Sequence, residues 1–242
     1  MRDASISVLA AALVLASAGA AHAASWSRGE SGSGRVSGTA IALGATSISQ
    51  QTDNTPGTDG VSCGNDADAT TESAFYRRFY LSEHGAASSA TVSAVTIALR
   101  DGGSGANAPL PITVNLYTIP AATPVDTIPL AALTPIGSAT QNLSVPAGNE
   151  PTSFTIPVTG TIADTAANNL VVEWTNGAGA QTLPGFYPAN NTAAETHPSF
   201  IRAPACGAAT PVTFASIGFA SSLIMVIEGS GLPVSLQQFE VD

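Results

Sequence analysis

Lysine does not occur anywhere in this sequence, and charge of either sign is scarce, with 10% of residues charged. Without lysine, Schiff-base chemistry and the phosphate-gripping lysine of a P-loop are excluded. Beyond the first residues the basic side chains are Arg28, Arg35, Arg77, Arg78, Arg100 and Arg202, set against a net charge of −10. So thin a scatter cannot neutralise a run of phosphates, so neither nucleic acid nor an anionic membrane surface is an expected partner. Cysteine is confined to Cys63 and Cys206, and histidine, past residue 22, to His84 and His197. That is too few soft ligands for a structural zinc site, and there is no Cys-x-x-Cys redox pair. No Gly-x-Ser-x-Gly elbow is present. A clean helical period is also lacking, and Pro109, Pro111, Pro120, Pro124, Pro129, Pro135, Pro146, Pro151 and Pro157 would interrupt most helices in that stretch.

What is there begins with an export signal. Arg2 precedes an uncharged apolar run from Ile6 to Ala18, and Ala21-His22-Ala23 supplies small residues at the two positions a signal peptidase reads. Residues 1–23 therefore read as a signal peptide cut before Ala24. The run is too short to span a bilayer, and no later stretch is long and apolar enough to do so. The expected location is secreted, extracellular or periplasmic. In that oxidising setting Cys63 and Cys206 most simply form one disulfide, the alternative being two buried thiols.

Residues 24–59 read as a flexible or partly ordered N-terminal segment, with a Gly/Ser-rich leading stretch over 24–34. From 60 to 230, short runs alternate apolar and polar residues with a period of two. Examples are Val95/Ile97/Leu99, Ile112/Val114/Leu116, Phe154/Ile156/Val158, Leu170/Val172/Trp174 and Leu223/Met225/Ile227. This is the signature of half-buried strands. Turn clusters separate them, among them Asp101-Gly102-Gly103-Ser104-Gly105, Thr134-Pro135, Asn176-Gly177 and Pro184-Gly185. The pattern predicts an all-β domain: an antiparallel two-sheet sandwich of jelly-roll type with about eight to ten strands. Pro157 inside a strand pattern calls for an edge or a bulge. Residues 231–242 read as a tail or linker.

Several stretches carry a resemblance: Cys63-Gly64-Asn65, Phe75-Tyr76-Arg77-Arg78-Phe79-Tyr80-Leu81, Ile112-Thr113-Val114-Asn115-Leu116-Tyr117, Leu170-Val171-Val172-Glu173, the second cysteine before a closing strand, and the terminal Leu232-Pro233-Val234-Ser235-Leu236. Together they resemble a family of bacterial secreted β-sandwich modules that often precede a C-terminal sorting or anchoring tail. The resemblance spans roughly residues 60 to 230 and implies a secreted β module without assigning a ligand.

Candidate chemistry is thin. Asp53, Asp59, Asn65, Asp66, Asp68 and Glu72 form the densest polar cluster, and Asp59, Asp66 and Asp68 are the candidate calcium ligands because calcium takes several oxygens from a flexible loop. They lack EF-hand spacing, so a mobile, solvated acidic loop is the plainer expectation. Tyr76, Arg78 and Tyr80 fall on one side of a strand opposite Phe75 and Phe79, and read as an exposed patch on which a sugar ring could stack, with Arg78 between the rings. Trp174 is the other candidate platform, although its place beside Leu170 and Val172 favours the core. Arg77 falls on the apolar side, where a bulge or a buried carboxylate partner is expected. Glu195 and His197 would project together from an extended segment, and Glu173 with Glu228 could form a glycosidase pair. The leading expectation is a non-catalytic structural or adhesive module of the envelope or matrix, with no cofactor. Its expected partners are envelope or matrix components, glycans or copies of itself. A carbohydrate-binding module, possible with calcium, is second, and a secreted hydrolase third.

Overall fold

The computed structural model describes residues 25–28, 47–64, 70–101, 109–146, 148, 150–176 and 186–232. The predicted signal peptide, Asp66, Asp68 and the segment after Leu232 lie outside them. The strands are β1 (Ser25–Arg28), β2 (Ser47–Ser49), β3 (Val61–Gly64), β4 (Ala74–Phe79), β5 (Ala90–Asp101), β6 (Leu110–Pro120), β7 (Thr134–Leu143), β8 (Thr152–Ile162), β9 (Asn168–Thr175), β10 (Phe186–Pro188), β11 (Phe200–Ala203), β12 (Ala208–Thr213) and β13 (Met225–Ser230). Helix among the described residues is limited to three single 3-10 turns at Leu130–Ala132, Pro204–Cys206 and Ala215–Ile217. None of these is long and apolar enough to cross a membrane.

One sheet runs β12-β11-β4-β9-β6-β7 and the other β10-β5-β13-β2, with β8 on the second side of β5. All the pairings are antiparallel, and β1 with β3 makes a further two-stranded ribbon. The two-sheet sandwich is as the alternation predicts. The strand order does not by itself establish a jelly-roll winding. The thirteen described strands exceed the expected number because β1, β2, β3, β10 and β11 have only three or four residues, too short for a period of two to register. β1 lies within the stretch read as a leading segment, yet it pairs along its length with β3.

The core lies between the sheets. Val95, Ile97, Leu99, Ile156, Met225 and Ile227 face Phe75, Phe79, Ile112, Val114, Val172 and Trp174, all essentially without solvent exposure. These are the alternating positions named above, so period two became burial directly. β8 is an edge strand, and its register with β5 shifts opposite Pro157, so the proline occupies both an edge and a bulge. On that side the sheets close on each other: a Cβ at Gly137 of β7 would lie 2.1 Å from the Thr159 carbonyl oxygen of β8, so only glycine fits the approach. The disulfide ties β3 to the 3-10 turn before β12, with Cys63 and Cys206 bonded at a Cα separation of 6.0 Å.

Candidate functional site: the twin arginines of β4

Adjacent residues of a strand point to opposite faces. Arg77 and Arg78 therefore leave β4 on its two sides, and its pairing with β9 is continuous from Ala74 to Phe79 with no bulge. Arg77 enters the sandwich between Phe75 and Phe79 and is wholly buried. Its Nη2 donates to Glu195 Oε2 at 2.8 Å, its Nε to the Leu223 carbonyl at 2.8 Å, and its Nη1 to Gln50 Oε1 and the His197 carbonyl at 3.4 and 3.3 Å. Of the two sequence expectations for Arg77, the carboxylate partner is the one the fold realises. Burial pulls this guanidinium down to about 10, with the Glu195 charge opposing the fall, so it stays charged at neutral pH. Glu195 also accepts from the Ser199 hydroxyl at 2.7 Å and the Ser199 amide at 3.1 Å, and the Ser199 hydroxyl accepts from the Leu223 amide at 2.8 Å. These contacts join β4 to the residue that follows β2, to the β10–β11 connection and to the chain entering β13.

Arg78 emerges on the outer face, but it is not exposed. Residues 121–133, which connect β6 to β7, fold over it. Its Nη1 donates to the Pro124 and Thr127 carbonyls at 2.8 and 3.2 Å, and its Nη2 to the Thr123 carbonyl at 3.0 Å. With the Asn169 amide assigned so that its oxygen faces Arg78, the orientation that satisfies both groups, it accepts from Nε at 3.2 Å and Nη2 at 2.9 Å. The Tyr80 ring lies 4.7 Å from the guanidinium carbon. Beneath the same connection, Ile128 packs with Ala74, Tyr76, Ile119, Val171 and Phe200.

The expectation of an exposed Tyr76/Arg78/Tyr80 patch is therefore overturned, since the three are 2%, 1% and 5% exposed. Alternation correctly separated them from Phe75 and Phe79, but a loop from elsewhere in the chain covers their side. Trp174 is wholly buried, stacked on Phe75 at 4.2 Å, as its neighbours imply. None of the three rings offers a face to a sugar, and Arg78 is covered as well.

Glu173 faces outward from β9 as expected, and collects donors there. Tyr76 donates to Oε1 at 2.7 Å, and Tyr117 and Asn115 to Oε2 at 2.8 and 2.9 Å. Ser138 of β7 donates to Asn115 Oδ1 at 2.7 Å, so the network spans four neighbouring strands. Burial, reinforced by the Glu173 charge, pushes the Tyr76 phenol far above its ordinary range; burial and the hydrogen bond to Glu173 do the same to Tyr117. Glu228 alternates with the core residue Ile227 and so points out of the other sheet. With sheets about 10 Å apart, carboxylates on opposite outer faces cannot flank one glycosidic bond.

Glu195 and His197 do not act together either. His197 Nδ1 lies 2.9 Å from Asp126 Oδ1, its Nε2 lies 2.9 Å from Glu83 Oε2, and its ring stacks on Tyr80 at 3.9 Å. A ring protonated on both nitrogens donates to both carboxylates, whereas a neutral ring donates to one. Asp126 holds a left-handed backbone at φ 56°, a conformation aspartate tolerates better than most residues. Its amide donates to the Tyr80 hydroxyl at 2.8 Å. No feature of the local sequence near Asp126 or Glu83 marks this brace, because its members are brought together by three separate loops.

The described parts of the acidic stretch, residues 53–64 and 70–72, are more ordered than expected. Val61–Gly64 is a buried strand, the Asp53 carboxylate accepts from the Thr55 amide at 2.8 Å, and Glu72 pairs with Arg202 at 3.1 Å. The hydrogen bonds from Thr55 hold the Asp53 carboxyl below its ordinary value. Asp59 is half-buried and bridges to Asn190. Among the described residues, no three His, Cys, Asp or Glu side chains gather as a metal set. One concavity adjoins the site: an open groove of about 640 Å3 between the 121–133 connection and β12, with Phe200 among its lining residues. Set against protein-family models, curated proteins and solved structures, the chain matches none.

Proposed function

We propose that this chain is an exported, non-catalytic β-sandwich module with a structural or adhesive role in the cell envelope or extracellular matrix. The observation that carries the reading is how the scarce charges of β4 and its surroundings are used. Arg77 and Arg78 each clamp main-chain carbonyls, and Glu173, Glu195, Asp126 and His197 each hold a neighbouring strand or loop. A catalyst keeps tuned ionisable groups facing a substrate-sized space. Here those groups brace the fold, which suits a durable module outside the cell. The disulfide and the signal-like N-terminus support the compartment.

The test is to express the full chain and sequence the N-terminus of the exported product, expected at Ala24. The purified product is then screened with esterase, glycosidase and peptidase substrates, on a glycan array, and in a pull-down from native envelope. Capture of envelope or matrix components without turnover is the expected result. Turnover abolished by Glu195→Gln or His197→Asn, in variants that still fold, would overturn the non-catalytic reading. Selective glycan retention would move the carbohydrate-binding alternative to first place.

A further inference from the structure

Three loops meet at His197. It lies on the β10–β11 connection, Glu83 on the turn between β4 and β5, and Asp126 on the 121–133 connection. Nδ1 is 2.9 Å from Asp126 Oδ1 and Nε2 is 2.9 Å from Glu83 Oε2. Each of the three is pinned by contacts of its own. The Glu83 amide donates to the Tyr80 carbonyl at 3.0 Å, and the Ala86 amide closes the turn on the Leu81 carbonyl at 3.1 Å. The Asp126 amide donates to the Tyr80 hydroxyl at 2.8 Å. The His197 carbonyl accepts from Arg77 at 3.3 Å, and the Thr196 amide donates to the Gln50 carbonyl at 2.9 Å. The imidazole stacks on the Tyr80 ring with centroids 3.9 Å apart. So placed, it meets a carboxylate at each nitrogen, and turning it over only exchanges the nitrogens.

That arrangement suits one protonation state. With a proton on each nitrogen the ring donates twice. A neutral ring keeps a lone pair on one nitrogen, and at 2.9 Å that lone pair faces a carboxylate oxygen with no proton between them. One carboxylate must then draw back. Asp126 is the one with strain to release, because its backbone sits at φ 56°. The other groups around the ring are Tyr80, Arg78 and His84. Burial raises the Tyr80 phenol, so it keeps its proton past neutrality. The Arg78 guanidinium lies 4.7 Å from the Tyr80 ring centre. Burial lowers the His84 imidazole, with Glu83 opposing the fall and His197 adding to it. Arg77 and Glu195 lie behind the His197 main chain, paired with each other. Between about pH 5 and 8 histidine is the side chain that ordinarily changes charge, so His197 and His84 are the two groups to separate.

We propose that His197 is a proton-dependent latch on the 121–133 connection: the doubly protonated ring ties Asp126 to the β4–β5 turn, and loss of one proton releases it. Arg78 grips the same connection through main-chain carbonyls whatever the imidazole does. The proton therefore controls the segment around Asp126 and leaves the rest of the connection in place. Catalytic or not, the module would carry this latch, so its failure and that of the proposed function are separable.

The experiment is amide exchange of the chain from Ala24 onward, followed by NMR between about pH 5 and 8 and corrected for the intrinsic rate. The expected result is that protection of the Asp126 amide falls about three- to tenfold as pH rises across that range, while amides of core strand β9 stay level. The ring nitrogen shifts of His197 should change over the same interval. His197→Asn should leave Asp126 weakly protected at every pH. Glu83→Gln should keep Asp126 protected at the alkaline end, because an amide there can donate to the ring nitrogen that a carboxylate opposes. His84→Asn should leave the parent's pH dependence intact. Level protection of Asp126 in the parent overturns the proposal. So does a fall with pH that survives His197→Asn or Glu83→Gln, or one that disappears in His84→Asn.

Discussion

Replacing Arg78 with methionine keeps most of the side-chain length and removes the guanidinium. The fold then loses the donors to the Pro124, Thr127 and Thr123 carbonyls, the contact with Asn169 and the charge over Tyr80. Hydrogen bonds from a charged donor are worth about 1.5–3 kcal/mol each, but they do not add. Arg78 lies under a single loop layer, so the freed carbonyls regain water when the connection loosens. The methionine also avoids the desolvation of a buried charge. The balance is a loss of about 2–4 kcal/mol, and for a domain of this size each kcal/mol lowers Tm by about 2–4 °C. The melting temperature should fall by roughly 5–15 °C in calorimetry. Hydrogen exchange should speed up over residues 121–133 well before the core strands, because Arg78 supplies three of the hydrogen bonds that hold those residues down. Arg78→Lys should recover only part of the loss, since an ammonium cannot reach three carbonyls as a planar fork does. A Tm within a degree or so of the parent, with exchange over 121–133 unaltered, would refute the assignment of Arg78 as the anchor.

Two further outcomes follow from the geometry. Cys63 and Cys206 are separated by 143 positions, so removing the bridge with a double serine substitution should lower stability by about 5 kcal/mol in the chain-entropy model, read as a shift in denaturant midpoint; an unchanged midpoint would mean that the unfolded chain is already constrained. Stability should also decline at alkaline pH. Tyr76, Tyr117 and Tyr80 are all raised, chiefly by burial, so above pH ~10 the unfolded chain sheds phenolic protons that the fold retains. Their stabilising contribution is complete below that pH and is lost as pH rises beyond it. Arg77, lowered by burial, acts in the opposite direction over the same window, one guanidinium against three phenols. The denaturant midpoint should fall between about pH 9 and 11, and fall less in a Tyr76→Phe/Tyr117→Phe variant; equal slopes in the two proteins would count against the network around Glu173.

The sequence by itself determined the sandwich and its core. Val95/Ile97/Leu99 and Leu170/Val172/Trp174 are buried as their alternation requires, because the side-chain period of a strand is local and one buried face suffices to write it. Pro157 announced an edge and a bulge for an equally local reason, its missing N–H. Two cysteines in a chain whose N-terminus reads as an export signal implied the bridge that forms. What only the tertiary structure decided is the fate of the other face. Alternation placed Tyr76 and Arg78 together on the side away from Phe75, but whether that side met water depended on residues 121–133, more than forty positions away, folding over it. The same holds for His197, whose partners Glu83 and Asp126 arrive from different loops. A period of two tells which residues share a side of a strand. It carries no information about what a distant loop lays on top, because loop placement is settled by long-range contacts such as Ile128 against Phe200 and Arg78 on three carbonyls.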